Sequence, residues 1–97
     1  MTVVSLLRLP VRAGSEDALV QAFATLEIFG HSARSGGFVG GRLLRPREGG
    51  PFVVIAEWES DDAYRGWLEN PVRKELAAHI EPLLTGVVEA GQLFEDG

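Results

Sequence analysis

Residues 52–67 constrain the fold more than any other segment, because a strand pattern there runs directly into a helix start. The range Phe52–Trp58 is apolar and rich in β-branched and aromatic side chains, as a strand covered on both faces would be. Ser60 is a favourable N-cap residue, and Asp61 and Asp62 place negative charge in the first helical turn, where the helix dipole stabilises it. The segment therefore predicts a buried strand that is followed at once by a helix.

The helix predicted after Ser60 has an apolar face that carries two aromatic rings. Tyr64 and Trp67 are spaced so that they lie one turn apart on this face. The face packs on a core or lines a pocket, and both rings are suited to wall a flat aromatic ligand. Tyr64 is therefore a candidate catalytic residue and Trp67 a candidate substrate-binding residue. Trp58 is a further candidate for substrate binding, although a large ring at a strand end most often packs in the core.

Turn residues and apolar periodicity divide the whole chain into strands and helices. The predicted elements are strand Val3–Leu9, a long helix from the cap at Ser15 to Gly36, strand 38–45, strand Phe52–Trp58, a short helix, a second helix from Pro71 to about Glu81, and strand 87–94. The resulting β-α-β-β-α-β order is that of a ferredoxin-like α+β fold, in which a four-stranded antiparallel sheet carries its helices on one face. Residues 1–97 are accordingly predicted to form a single domain.

The sheet face without helices is expected to be apolar as well, because the predicted strands have apolar side chains at both parities. The alternating residues are Val4, Leu6, Val53, Ile55, Val88 and Phe94. An exposed apolar patch larger than roughly a few hundred Å² usually marks a contact surface. We therefore predict a homodimer that is joined through this face.

Composition argues against several classes of partner and cofactor. Nine Lys and Arg against fourteen Asp and Glu give a net charge of −5, which disfavours nucleic acid because each phosphate contact needs a cation. The absence of cysteine excludes disulfides, thiolate metal sites and thiol catalysis. The sequence shows no metal-spaced cluster, phosphate-binding glycine loop, signal peptide or membrane span. We therefore predict a cytoplasmic protein that uses no metal or cofactor and binds neither nucleic acid nor membrane.

The two histidines are candidates for a catalytic base. His79 falls at helical spacing in a stripe of aliphatic residues, namely Val72, Leu76, Ile80 and Leu83. His31 follows a glycine at which the first helix could kink, so its ring could reach a cavity between helix and sheet. Each ring could accept a proton from a substrate. The alternatives at position 79 are a hydrogen-bonded core histidine or one whose ring reaches solvent near the helix end, and the alternative at position 31 is a solvated histidine.

Three arginines on or beside the predicted strands are candidates for contact with an anionic oxygen: Arg8, Arg42 and Arg45. An arginine that points between helix and sheet would hold an enolate or phenolate oxygen. Strand parity alone leaves the choice open, and Arg42 is taken as the candidate for substrate binding.

Two blocks of the sequence together resemble a known family. One is Gly37-Phe-Val-Gly-Gly-Arg-Leu-Leu-Arg-Pro46, and the other is Phe52-Val-Val-Ile-Ala-Glu-Trp-Glu-Ser-Asp-Asp-Ala-Tyr64. With them the chain resembles, over nearly its whole length, the antibiotic biosynthesis monooxygenase superfamily of dimeric α+β barrel proteins. The resemblance implies a barrel dimer, and members include cofactor-free oxygenases of aromatic polyketides, heme-degrading oxygenases and quinol oxygenases. The matching blocks build the fold, so they identify no substrate.

Two subgroups of the superfamily can be compared residue by residue. In the heme-degrading members, a tryptophan on the helix after the Trp-Glu-Ser block corresponds to Trp67. Their first-strand asparagine corresponds to Leu7 and their iron-ligating histidine to Leu76 or Ala77, with His79 the nearest histidine. The resemblance therefore implies that the tryptophan of the heme-degrading site is present, as Trp67, but that the iron-ligating histidine is absent from its position.

The second subgroup, the polyketide-anthrone oxygenases, shares a different part of its site with this chain. A tryptophan and a tyrosine implicated in that site correspond to Trp58 and Tyr64. The third-strand asparagine of the subgroup corresponds to Val54, and an arginine on its last helix to about Ala77. Two of the four site residues of this subgroup are therefore matched in this chain.

The leading hypothesis is a cofactor-independent monooxygenase that acts on an electron-rich polycyclic aromatic, such as a polyketide anthrone or phenol, in antibiotic or secondary-metabolite biosynthesis. Tyr64 and Trp67 would serve as walls or donors, and His79 or His31 as the base. One alternative is a non-redox dimer with the same pocket, either polyketide cyclase-like or a small-molecule-binding protein. The other is a heme-binding or heme-degrading protein with a displaced ligand.

Overall fold

The computed structural model of the chain describes residues 2–86, 88 and 91–97. Its strands are β1 Val3–Leu9, β2 Phe38–Leu44, β3 Phe52–Trp58 and β4 Gln92–Phe94. Its helices are α1 Glu16–Thr25, α2 Ile28–Ser35, α3 Asp61–Leu68 and α4 Pro71–Ile80, and a short 3-10 helix follows at Glu81–Leu83. No helix in these ranges is long and apolar enough to cross a membrane.

The four strands form one antiparallel sheet in the order β2-β3-β1-β4. The predicted hairpin is present, because β2 pairs with β3 along its length, with a register shift between Phe38 and Gly40. The central pair runs from Val3 opposite Trp58 to Leu9 opposite Phe52. The ferredoxin-like α+β fold and the bounds of the first and third strands are therefore confirmed.

Burial along β1 and β3 alternates as expected for a sheet with helices on one face. The buried residues of the two central strands share the helix-covered face and are Val3, Ser5, Leu9, Phe52, Ala56 and Trp58. The opposite parity is half-buried or exposed, and its apolar members are Val4, Leu6, Leu44, Val53, Ile55 and Phe94. The same parity also carries Arg8, Arg42, Glu57 and Gln92, so the helix-free face combines the predicted apolar side chains with charged and polar ones.

The predicted long helix is wrong in one respect, because it is two helices with a break at Glu27. Glu27 has φ 51° and ψ 48°, a left-handed conformation that ends α1 and redirects the chain into α2. A continuous helix over residues 16–35 would be about 30 Å long. The seven-residue strands beneath it span only about 23 Å. The break therefore keeps both helices over the sheet. The predicted cap at Ser15 is also wrong, since its side chain forms no capping hydrogen bond.

The later helices begin as the sequence predicts. The Ser60 hydroxyl accepts a hydrogen bond from the backbone N–H of Ala63 at 3.1 Å. The Asn70 side chain accepts one from Val72 at 3.0 Å, and Pro71 occupies the first turn of α4. Both caps satisfy backbone donors that have no partner within their helices.

The second and fourth predicted strands are longer than the observed ones. The second strand ends at Leu44, one residue before the predicted limit. Of the predicted strand 87–94, only Gln92–Phe94 is a strand among the described residues. Residues 87, 89 and 90 lie outside the described part of the chain, so the prediction there has no counterpart.

Candidate active site

A row of aromatic rings fills the space between the helices and the sheet. Phe23 of α1 packs on Phe29 of α2 with 5.8 Å between ring centroids, and Phe29 stacks on Phe38 at 6.0 Å. Phe38 meets Trp58 edge to face at 5.2 Å, and Trp58 contacts Tyr64 of α3 at 5.8 Å. These separations lie in the range of favourable aromatic pairs. The helix–sheet layer is therefore aromatic from α1 to α3.

Trp58 is held in this layer by a hydrogen bond that the sequence analysis missed. The residue is 2% exposed, and its indole Nε1 donates to the Ser5 hydroxyl at 3.1 Å. Ser5 in turn donates to the carbonyl oxygen of Ala56 at 3.4 Å. One sequence signal pointed to Ser5, because it is a polar residue at the buried parity of an otherwise apolar strand. The Trp58 ring thus supports Tyr64 from the sheet side, and its role in substrate binding stays a prediction.

Tyr64 brings a polar group into the aromatic layer. Its side chain is 9% exposed, and its hydroxyl lies beside Gly91, just before β4. Burial raises the pKa of the Tyr64 phenol above its usual value of 10.0, and the positive charge of Arg73 opposes that rise. The phenol is therefore protonated at neutral pH and is available as a hydrogen-bond donor.

Trp67 lies on the same buried face of α3 as Tyr64, as the helical spacing predicts. Its side chain is 8% exposed and belongs to the core. The prediction that α3 presents both rings to the interior is therefore confirmed. The structure brings Trp58, Tyr64 and Trp67 into one buried cluster, whereas the role of each toward a ligand stays a prediction.

The predicted placement of His79 on a buried stripe is wrong. The buried residues of α4 are Leu76 and Ile80, and His79 is exposed. Because successive helical residues differ by about 100° in direction, a residue next to Ile80 points well away from a stripe that narrow. The structure therefore places His79 on the outer side of α4, outside the aromatic layer, and its proposed role as a base stays a prediction.

His31 is half-buried on α2 and is engaged by a neighbouring side chain. Its Nδ1 lies 3.1 Å from Nη1 of Arg34, one turn further along the same helix. A guanidinium has only donors, so Nδ1 accepts and Nε2 carries the ring proton. His31 and His79 lie on different helices, and neither belongs to the buried cluster around Tyr64.

The three candidate arginines lie outside the helix–sheet layer. Arg42 is exposed and pairs with Ile55 on the helix-free face, so it does not point between helix and sheet, and its role in substrate binding stays a prediction. Arg8 is exposed at the corresponding parity of β1. Arg45 follows β2, where its guanidinium donates to Asp17 at 2.7 Å and lies 5.9 Å from the centroid of the Phe52 ring. No candidate arginine therefore faces Tyr64 in the described part of the chain.

A surface depression lies at the other end of the sheet. It measures about 620 Å³ and is lined by Pro10, Glu16, Arg45, Arg47, Phe52 and Thr85, among others. Phe52 and Trp58 are the two ends of β3, about 20 Å apart. The depression is open and holds charged side chains, one of which is already paired with Asp17. We assign the candidate site to the aromatic layer, because its buried rings and the Tyr64 hydroxyl suit an aromatic substrate.

Comparison with known proteins places the chain in a family. The family model for antibiotic biosynthesis monooxygenase matches residues 2–89. The mycobilin-producing heme oxygenase of Mycobacterium tuberculosis (strain CDC 1551 / Oshkosh) is 36% identical over 92 residues, which is 89% of this chain and 82% of that protein.

Solved structures agree with this match. SnoaB, a cofactor-independent oxygenase from Streptomyces nogalater, superposes with a TM-score of 0.80 at 32% identity and covers 99% of this chain and 93% of its own. A conserved protein from Methanosarcina mazei Go1, at 10% identity and a TM-score of 0.82 over 100% of this chain and 94% of its own, shares the fold. The chain therefore belongs to the antibiotic biosynthesis monooxygenase family.

Proposed function

We propose that this protein is a cofactor-independent monooxygenase acting on an electron-rich polycyclic aromatic, such as a polyketide anthrone or phenol. One observation carries the proposal: the buried layer that holds Trp58, Tyr64 and Trp67 is aromatic and presents a protonated phenol as its polar group. The likeness to SnoaB, a cofactor-independent oxygenase, supports the same activity class. The biological setting that fits is antibiotic or secondary-metabolite biosynthesis.

The chemistry requires little from the protein, because the substrate itself reduces oxygen. An anthrone methylene loses a proton, and the resulting enolate transfers electrons to O₂. A bond then forms between that carbon and oxygen, and loss of water leaves a carbonyl group. The balance is one CH₂ and one O₂ converted to one C=O and one H₂O. The protein has to exclude water, orient the substrate and stabilise the enolate oxygen.

Tyr64 is the proposed donor to that oxygen. A phenol with a raised pKa keeps its proton at neutral pH, and a donor fixed in a dry layer stabilises developing negative charge more than water does. Trp67 is the proposed wall of the substrate site, and Trp58 supports Tyr64 from the sheet side. Of the two predicted bases, His31 is the one we propose, because it is half-buried on α2 whereas His79 is exposed and faces away from the layer. Since both aromatic side chains of α3 are about nine-tenths buried, a substrate has to displace packed side chains to enter.

Oxygen uptake tests the proposal against the non-redox alternative. Protein freed of metal and flavin is mixed with a panel of anthrones and naphthols, and O₂ consumption and quinone formation are followed together. One O₂ consumed per carbonyl formed, in proportion to the protein, is the expected result. Binding of the panel compounds without any protein-dependent uptake would instead indicate a cyclase-like or small-molecule-binding dimer.

A second candidate function, heme degradation, is favoured by the identity to the mycobilin-producing heme oxygenase. A heme iron needs an axial ligand in a fixed position. The residues here do not fit that requirement, because the buried face of α4 presents Leu76 and Ile80 to the layer and His79 points outward. The chain has two histidines, and the other, His31, is engaged with Arg34 on α2. We therefore place this candidate second.

Heme titration distinguishes the two candidates. We expect weak heme binding and a Soret band that is unchanged by His79→Ala, since an exposed ring on the outer side of α4 cannot face a ligand in the layer. His31→Ala is the matched variant at the other histidine. A tight complex whose Soret band disappears with His79→Ala would make heme oxygenase the leading function.

We further propose a homodimer joined through the helix-free sheet face. That face carries the apolar side chains of β1, β2, β3 and β4 defined above, and Phe94 on it is 43% exposed. Contiguous apolar surface of this kind is stabilised by burial against a partner. Two copies related by a two-fold axis would present the same patch to each other.

A charge on this face should separate the proposed dimer. Phe94→Glu would remove an apolar ring from the shared interface and place a carboxylate from each copy there, at a cost in desolvation. Light scattering should then give the mass of a single chain. Val20→Glu is the matched control, because Val20 is 42% exposed on α1, on the helical side. A wild-type chain that is monomeric at micromolar concentration would contradict the dimer.

A further inference from the structure

We propose that Gly91 is a positioning residue for the Tyr64 hydroxyl. The inference rests on the function proposed above, in which that hydroxyl donates to the substrate oxygen. Gly91 lies directly before β4, which pairs with β1 from Leu6 opposite Gln92 to Val4 opposite Phe94. The Tyr64 phenol thus reaches from α3 to the point where the β1–β4 ladder ends.

The Tyr64 hydroxyl occupies the space that a side chain at position 91 would need. A Cβ atom added at Gly91 would lie 2.5 Å from the Tyr64 hydroxyl oxygen, closer than real Cβ contacts allow. The same atom would be 3.7 Å from the ring carbon that bears the hydroxyl and 3.7 Å from the carbonyl oxygen of Leu6, which are ordinary contacts. The conflict is therefore with the hydroxyl oxygen alone.

A methyl group at position 91 would therefore reduce the space that is available to the Tyr64 phenol. To clear such a methyl group, the Tyr64 hydroxyl oxygen has to move by about 1 Å. Its ring is rigid and packs against Trp58 at 5.8 Å, so the hydroxyl moves only if the whole ring turns. The ring also lies on the buried face of α3 beside Trp67. An added Cβ would therefore displace the hydroxyl from its place in the layer, and a displacement of that size is enough to misalign a donor with the substrate oxygen.

The chain offers a direct reporter for this displacement, because Tyr64 is its only tyrosine. Tyrosinate absorbance during an alkaline titration therefore reports Tyr64 alone. In the wild-type protein the midpoint should lie above 10.0, since burial raises the pKa of this phenol. In Gly91→Ala it should move back toward 10.0, because the hydroxyl leaves the packed surroundings that raise its pKa. Gly86→Ala is the control, because a Cβ there meets no atom of the described residues within 4 Å.

Turnover supplies the second measurement. Gly91→Ala should lower kcat for oxygen uptake by roughly the same 10²–10³-fold as Tyr64→Phe, because both remove the donor from its place. In the Tyr64→Phe background, Gly91→Ala should cost less than about twofold, since no hydroxyl oxygen remains to collide with the methyl group. That non-additivity distinguishes positioning from a general loss of structure.

Failure of this inference and failure of the proposed function give different results. If Tyr64→Phe keeps wild-type turnover while Gly91→Ala still shifts the tyrosine titration, the positioning is right and the catalytic role is wrong. If Gly91→Ala leaves both turnover and the titration unchanged, the positioning is overturned. Should Gly91→Ala fail to fold, the double variant decides: a melting temperature near that of Tyr64→Phe supports the hydroxyl conflict, and failure of both to fold overturns it.

Discussion

Replacing Tyr64 with phenylalanine should lower the kcat for anthrone oxidation by about 10²–10³-fold, the usual loss when one donor to a developing oxyanion is removed. The phenol lies in a buried aromatic layer, where its proton is retained at neutral pH because burial raises its pKa. Phenylalanine keeps the ring that packs on Trp58 and removes only the hydroxyl. We therefore expect the fold and substrate binding to survive while the chemical step slows.

Oxygen-electrode kinetics and ligand binding on the same preparation check this prediction. The loss should fall on kcat, with substrate affinity changed little, because the donor acts mainly on charge that develops in the reaction. Below pH 10.0 the wild-type donor should stay protonated, so its ionisation should leave the rate unchanged across neutral pH. Equal turnover of Tyr64→Phe and the wild type would remove Tyr64 from the mechanism.

Trp58→Ala should be the most destabilising single substitution considered for this protein. Trp58 is 2% exposed, contacts Phe38 and Tyr64, and donates to Ser5. Truncation of a buried tryptophan costs about 3–5 kcal/mol of unfolding free energy. Domains of this size have a total stability of only about 5–15 kcal/mol. Chemical denaturation should therefore show a large fall in midpoint, and Val39→Ala, at an exposed site of β2, should change the free energy by less than about 0.5 kcal/mol.

Trp58→Phe separates support of the layer from contact with the substrate. It keeps an aromatic ring against Tyr64 but removes the indole donor, and the Ser5 hydroxyl can still donate to Ala56. If Trp58 acts only as support, turnover per folded molecule should stay close to wild type while stability falls by roughly 1–3 kcal/mol. A large loss of turnover per folded molecule would instead place Trp58 in the substrate site.

Local pattern carried enough information for most of the architecture. The apolar run Phe52–Trp58, the cap at Ser60 and the Pro71 helix start are signals within a few residues of chain, and each element lies where these signals predict. The shared face of Tyr64 and Trp67 also followed from helical spacing alone. Such features depend on backbone geometry that neighbouring residues fix.

Tertiary packing decided the side-chain directions that the local sequence pattern does not specify. His79 has the spacing of an apolar stripe, yet α4 buries only a narrow line at Leu76 and Ile80, so the histidine faces outward. Arg42 could not be assigned to a sheet face until the register placed it opposite Ile55, beyond the aromatic layer. Whether a side chain faces a buried layer depends on how much of its helix or strand is covered by the packed neighbouring elements. The spacing of apolar residues in the sequence does not specify that coverage.

The sequence by itself determined the bounds of β1 and β3, the starts of α3 and α4, the ferredoxin-like order and the family resemblance, because periodicity, caps and turn residues act over short distances along the chain. The tertiary structure alone decided the break at Glu27, the hydrogen bond from Trp58 to Ser5 and the approach of Gly91 to the Tyr64 hydroxyl. Each of these depends on which distant segments the fold brings together. Close packing then makes every contact sensitive to single atoms.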